Sequence, residues 1–164
     1  GQGFQPVCGF NYGAGLNRRV RQGFWYCVKV GVIFLAICSL IGYIYAPEVV
    51  SWFRKEDPQV IAVGAEALRW QLITLPLGAW VILCNMLLQT IRQPRRAVIL
   101  SSSRQGLFFI PLILILPYFL QLQGVEMCQA AADLCSFLLA LPLNIPVLKS
   151  LRIDRTPMKE ENVR

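Results

Sequence analysis

Residues 24–46 read FWYCVKVGVIFLAICSLIGYIYA, and their chemistry restricts the fold before anything else in the chain does. Between Val30 and Tyr45 no Asp, Glu, Lys or Arg interrupts the run. A soluble helix keeps a charged face beside its apolar stripe, whereas a helix that crosses a bilayer needs about 20 mostly apolar residues and no polar face. The stretch meets the second requirement. Phe24, Trp25 and Tyr26 stand at one end and Tyr43, Tyr45, Trp52 and Phe53 at the other, as the aromatic belts of a membrane span do. Lys29 lies close to the first edge, where a long side chain reaches back to the headgroups.

Working outward, three further runs have the same character: 60–90, 97–120 and 125–148. The chain has 164 residues, 55% hydrophobic and only 15% charged, with a mean hydropathy of +0.52, too apolar for an ordinary soluble domain. The expected fold is an all-α, polytopic transmembrane bundle of four complete spans, occupying residues 1–148 as part of a larger membrane lobe and followed by a solvated tail, 149–164. Residues 1–14 are too short to cross a bilayer, and the chain opens on Gly1 without a charged leader. That segment is expected to be the inner end of a longer helix.

Charge sets the orientation. The net charge is +7, and the excess sits at Arg18, Arg19 and Arg21, at Arg92, Arg95 and Arg96, and in the tail. The intervening connections, 47–59 and 121–124, carry no such excess. Basic and non-basic connections alternate, so the positive-inside rule puts the basic ones, and the carboxy terminus, in the cytoplasm. A nucleic-acid partner is not needed to explain the basic balance.

No enzyme class is supported. The chain has no histidine, and its 6 cysteines are dispersed through apolar runs without a CxxC pair, so no metal-ligand spacing exists. The cysteines read as small hydrophobes. No phosphate-binding glycine loop and no nucleophile with a visible base occurs. Ser101, Ser102 and Ser103 before Arg104 are expected to cap a helix start.

What remains is a set of polar groups inside apolar runs: Gln5, Asn11, Gln71, Thr74, Asn85, Gln89, Arg104, Gln105, Gln129 and Asp133. Such groups join helices by hydrogen bonds or line a hydrated pathway. Asp133 falls on the order of 12 Å inside its span at the helical rise, where an isolated carboxylate takes up a proton unless a cation pairs with it. Asp133 and Arg104 therefore read as pathway groups, with a structural ion pair as the alternative. Glu66 and Arg69 have the spacing to pair on one helix face. Pro6 is expected to break the first segment, Gly9 and Gly13 have a GxxxG spacing, and Pro76 with Gly78 is expected to kink the second span.

Several segments in order, GFQPVCGFNYGAG with Arg19 and Val20, ALRWQLITLPL, NMLLQTI, SSSRQGLFFIPLILILP and ADLCSFLLALPL, give the chain a resemblance to the multidrug and toxic compound extrusion (MATE) transporters. It resembles their carboxy-terminal part. The resemblance implies a carrier of two six-helix lobes in the bacterial cytoplasmic membrane that exports cationic amphipathic drugs in exchange for Na⁺ or H⁺, with no other cofactor. It implies that residues 1–14 end helix eight and that the four spans are helices nine to twelve, partnered by lipid and by an amino-terminal lobe. Gln5, Asn11, Gln71, Arg104, Gln105 and Asp133 are the pathway candidates. Departures exist: members often have Gln-Pro where this chain has Gln129 and Ala130, and the span resembling helix ten carries only Glu66 among acids. Two other readings stay open, a lipid-linked sugar flippase of related architecture and a non-transporting membrane scaffold.

Overall fold

The computed structural model describes residues 1–53 and 58–153. The charged stretch 54–57 and the tail from Asp154, for which a polar connection and a solvated segment are expected, lie outside the described residues, as do the side chains of Phe53, of 58–60, of Gln105, of 119, 120, 122 and 123, and of Glu126. The described chain is helical: α1 (Phe4–Gly13), α2 (Asn17–Ile44), α3 (Ala46–Phe53), α4 (Pro58–Thr90), α5 (Pro94–Ser102), a π turn (Ser103–Leu107) and α6 (Phe109–Ser150). Among the described residues, three helical stretches, Asn17–Ile44, Ile61–Thr90 and Met127–Ser150, are long and apolar enough to cross a membrane, and Phe109–Tyr118 is a shorter apolar helix.

The fold follows from where the backbone is free to turn. Pro6 does not break α1, because it falls in the first turn, where the N–H it lacks has no partner within the helix. The helix ends instead at Gly15, whose φ of 75° suits a residue without a Cβ, with the Leu16 N–H returned to the Asn11 carbonyl at 2.9 Å. Arg92 takes the corresponding place after α4 at φ 60°, and the Gln93 N–H bonds the Leu88 carbonyl at 3.0 Å.

The run 97–120 is not one straight helix. It consists of α5, the π turn and the first arm of α6, so the arm beyond Arg104 is short and bent against its neighbours. At Gln121 (φ 50°, ψ −126°) the backbone leaves the helix and reverses. A Cβ at Gly124 would collide with the Leu116 carbonyl and the Pro117 nitrogen, so glycine lets the two arms touch backbone to backbone. Past this hairpin, α6 buries a file of small residues at four-residue spacing: Gly124, Cys128, Ala132, Ser136, Ala140 and Asn144. Small side chains allow close helix approach where lipid supplies no hydrophobic drive for association. By contrast Gly9 would place a Cβ at an ordinary 3.5 Å from Thr90, and Gly13 faces open space, so the GxxxG spacing is not a close-packed seam here.

Pro76 does not interrupt α4. A proline leaves the carbonyl four residues earlier without its helical donor, and the hydroxyl of Ser39 on α2 donates to that group, the Leu72 carbonyl. Gly42, one turn on, packs against the Leu72 side chain. The core lies at the end of the bundle where α2 begins and α4 and α6 finish: Val20, Phe24, Leu87, Leu88, Leu100, Val147 and Leu151 are buried together. An aromatic series, Phe4 to Phe24 (6.2 Å between centroids), Phe24 to Trp80 (5.6 Å) and Trp80 to Phe137 (6.4 Å), ties α1, α2, α4 and α6.

Candidate functional site

The π turn positions the site. One extra residue in the turn sends Phe108 N–H to the Ser103 carbonyl at 3.0 Å, and such bulges redirect the side chains they carry. Ser103 is fully buried; its hydroxyl donates to the Leu100 carbonyl at 2.7 Å and lies 3.4 Å from the hydroxyl of Ser136 on α6. Ser103 therefore closes the end of α5 and contacts α6, and does not cap a helix start.

Arg104, the next residue, turns toward α6 and donates from Nε to Asp133 Oδ1 at 2.7 Å. Gln71 of α4 donates from Nε2 to the other oxygen, Oδ2, at 3.1 Å, and Gln129, one turn before Asp133, reaches Oδ1 at 3.4 Å. One buried carboxylate thus accepts from α4, the π turn and its own helix. Its side chain is only 4% exposed, whereas that of Arg104 is 32% exposed. A charge at this depth is tolerated because a cation and two amides replace the water it gives up. Cys128, one turn before Ala132 in the small-residue file, sits with Sγ 3.5 Å from the Leu112 carbonyl, which continues the pairing of the two arms.

A second polar series lies separately, toward the basic end. Gln5 Nε2 donates to Gln89 Oε1 (3.3 Å), Gln89 Nε2 to Asn85 Oδ1 (3.3 Å), and Asn85 Nδ2 to Ser101 Oγ (2.7 Å). It joins α1, α4 and α5. The distance along α4 from Gln71 to Asn85 is about 21 Å at the helical rise, so the candidates expected to form one polar wall divide into two groups.

The sequence candidates are therefore distributed unevenly. Gln71, Arg104 and Asp133 meet; Gln5 belongs to the second series; Asn11 bonds its own helix at the Val7 carbonyl (2.8 Å) and, among the described residues, joins no other element; the side chain of Gln105 lies outside the described residues. Thr74 likewise bonds the Gln71 carbonyl of its own helix at 3.2 Å. Glu66 is exposed, and Arg69 turns instead to α2, its guanidinium 5.3 Å from the Tyr43 ring centroid. Ser136 and the small file around it were not singled out in the sequence, although the four-residue repeat of small residues in 124–144 is the signal for them.

A protein-family model described as MatE matches residues 1–115, more than half of the chain. The chain belongs to the MatE family. Solved structures agree in fold. A crystal structure of the Vibrio cholerae MATE transporter VcmN in a bent form is 17% identical, with a TM-score of 0.80 over 90% of this chain and 33% of that one. An outward-facing multidrug resistance MATE family transporter of the MOP superfamily is 18% identical, with a TM-score of 0.82 over 91% of this chain and 34% of that one. An inward-facing structure with the same description scores 0.83 at 17% identity, covering 91% and 35%. Comparison with curated protein sequences gives no match. The MatE chain described here spans about a third of the length of the transporters whose fold it shares, and it is a multi-pass membrane protein.

Proposed function

We propose that this MatE chain forms part of a secondary active carrier that exports cationic amphipathic compounds in exchange for Na⁺ or H⁺, the lobe described here supplying one wall of the substrate path. The observation that carries this reading is the buried Asp133 carboxylate, held by Arg104 across a helix break within a MatE fold. Ionisable groups inside a span are costly and serve ion or substrate paths by default. The pair offers a simple coupling device. A proton or Na⁺ reaching Asp133 competes with Arg104 for the same oxygens, and the guanidinium, a third of it exposed, has somewhere to go when displaced. The π turn lets α5 and the first arm of α6 change their relative setting without breaking a continuous helix. Gln71 and Gln129 hold the carboxylate in either state. Alternating access about such a site is the general mechanism of carriers built from repeated helical lobes.

The test is efflux of a fluorescent cation by the full-length protein in inside-out vesicles. Dissipating the coupling gradient, Na⁺ or H⁺, is expected to stop efflux. Efflux that survives the collapse of both gradients overturns the antiport reading.

A second reading is favoured by the number of elements that the Asp133 carboxylate joins, since it accepts from Gln71 of α4, Arg104 of the π turn and Gln129 of α6. On that reading the pair is a structural lock between α4, α6 and the π turn. The two are separated below by what the single and double substitutions do to stability.

A further inference from the structure

We infer that the end of the bundle where α2 begins and α6 ends carries a binding cleft for the phosphate of an anionic phospholipid, continuous with a groove for its acyl chain. The cleft holds about 420 Å³, and four cations line it: Arg18, Arg21 and Lys29 from α2, and Arg152 from just beyond α6. No carboxylate is among its described lining residues. Arg18, Arg21, Trp25 and Lys29 recur at three- and four-residue spacing, so one face of α2 presents the charges while Arg152 closes the opposite side.

Three features point to a bound anion. The Arg21 Nε is buried and has no hydrogen-bond partner among the described residues, an unmet donor on a side chain that lines the cleft. The first turn of α2 contains no acidic residue, and its Leu16 cap supplies no side-chain bond, so the positive end of this 28-residue helix adds to the field of these arginines. Guanidinium forks match the geometry of phosphate oxygens.

That the anion belongs to a lipid is argued from what adjoins the cleft. Tyr26 also borders a second, largely apolar groove of about 350 Å³ between α2 and α4, where Val30, Leu35 and Ile82 form the walls and Gly31 faces Ala79. Trp25 and Tyr26 mark the interfacial level at which a headgroup sits. A phosphate in the cleft therefore has its ester carbons directed along α2 into an apolar channel, which a free phosphate does not use. Basic pockets between spans at the membrane surface bind anionic headgroups in this manner.

The experiment is native mass spectrometry of the protein released from nanodiscs containing equal amounts of phosphatidylglycerol and phosphatidylcholine. Retained lipid is expected to be phosphatidylglycerol by tenfold or more, unchanged by millimolar inorganic phosphate. Arg21→Gln with Arg152→Gln is expected to lower retention by about fivefold for each charge removed, whereas Arg95→Gln, exposed on α5 away from the cleft, leaves it unchanged. Arg152→Gln alone, at an exposed position, tests the same point if the double variant does not fold. Equal retention of the two lipids, retention indifferent to Arg152→Gln, or displacement by free phosphate each overturns the assignment.

Discussion

An ion pair whose members differ in exposure does not respond symmetrically to losing one of them. Arg104→Gln leaves Asp133, 4% exposed, with only the amides of Gln71 and Gln129, and removing one partner of a buried pair costs on the order of 3–5 kcal/mol. Asp133→Asn leaves a guanidinium that is 32% exposed and long enough to find water, so the expected loss is smaller. The double variant is expected to recover part of the Arg104→Gln loss, since it removes the uncompensated carboxylate; thermal unfolding in detergent measures all three. Strictly additive losses refute direct coupling. If the double variant regains stability and efflux together, the pair is a structural lock; if it regains stability while efflux stays lost, the carboxylate itself serves transport. Asp133, Arg104 and Gln71 were legible in the sequence because charged and amide groups are rare in apolar runs. Their separation from Gln5 was not, because sequence fixes depth along a helix far better than which neighbour a side chain meets. Asn11 makes the same point: an amide in an apolar run looks available until the helix's own Val7 carbonyl takes it.

At the scale of elements, composition announced the helices, while their breaks depended on neighbours. The reversal at Gln121 falls in the connection 121–124 that the sequence placed between two spans, but nothing in the run 97–120 announced the π turn at Ser103–Leu107, whose i+5 bond from Phe108 to Ser103 goes with the contact of Ser103 with Ser136 on α6. Pro76 shows the converse: a residue that reads as a kink lies inside a continuous α4, since Ser39 on α2 supplies the donor that the proline withholds from the Leu72 carbonyl. This arrangement has a testable consequence. Ser39→Ala is expected to destabilise the protein by about 1–2 kcal/mol, the cost of leaving a buried carbonyl unsatisfied. Pro76→Ala restores a helical N–H to the same carbonyl, so Ser39→Ala is expected to cost little in that background. Unfolding midpoints of the two single variants and the double variant in detergent check it, and an undiminished cost of Ser39→Ala beside Pro76→Ala rules out the shared carbonyl.

For the whole molecule, the charge pattern and the packing bear on the same question, which side of the membrane each turn occupies. The basic segments are distant in sequence yet meet in space: the Asn17 amide donates to the Ile153 carbonyl at 2.9 Å, and Val20, Ile91, Ala97 and Leu151 share one buried cluster. The start of α2, the turn from α4 to α5 and the end of α6 are therefore at one end of the bundle, and antiparallel pairing of the arms of α6 carries Gln121 away from it, with Leu112 beside Cys128 and Ser103 beside Ser136. Since chains with this clustering orient with the basic end toward the cytoplasm, the prediction concerns single cysteines introduced into a full-length, cysteine-free protein and a membrane-impermeant maleimide. Gln121→Cys is expected to label in intact cells, and Arg95→Cys and Ser150→Cys only after permeabilisation; all three native positions are exposed, so accessibility depends on side and not on burial. The inverted pattern overturns the orientation while leaving the fold intact. Labelling of Arg95→Cys together with Gln121→Cys in intact cells contradicts the fold itself, because it puts the two ends of the broken α5–α6 crossing on the same side of the membrane.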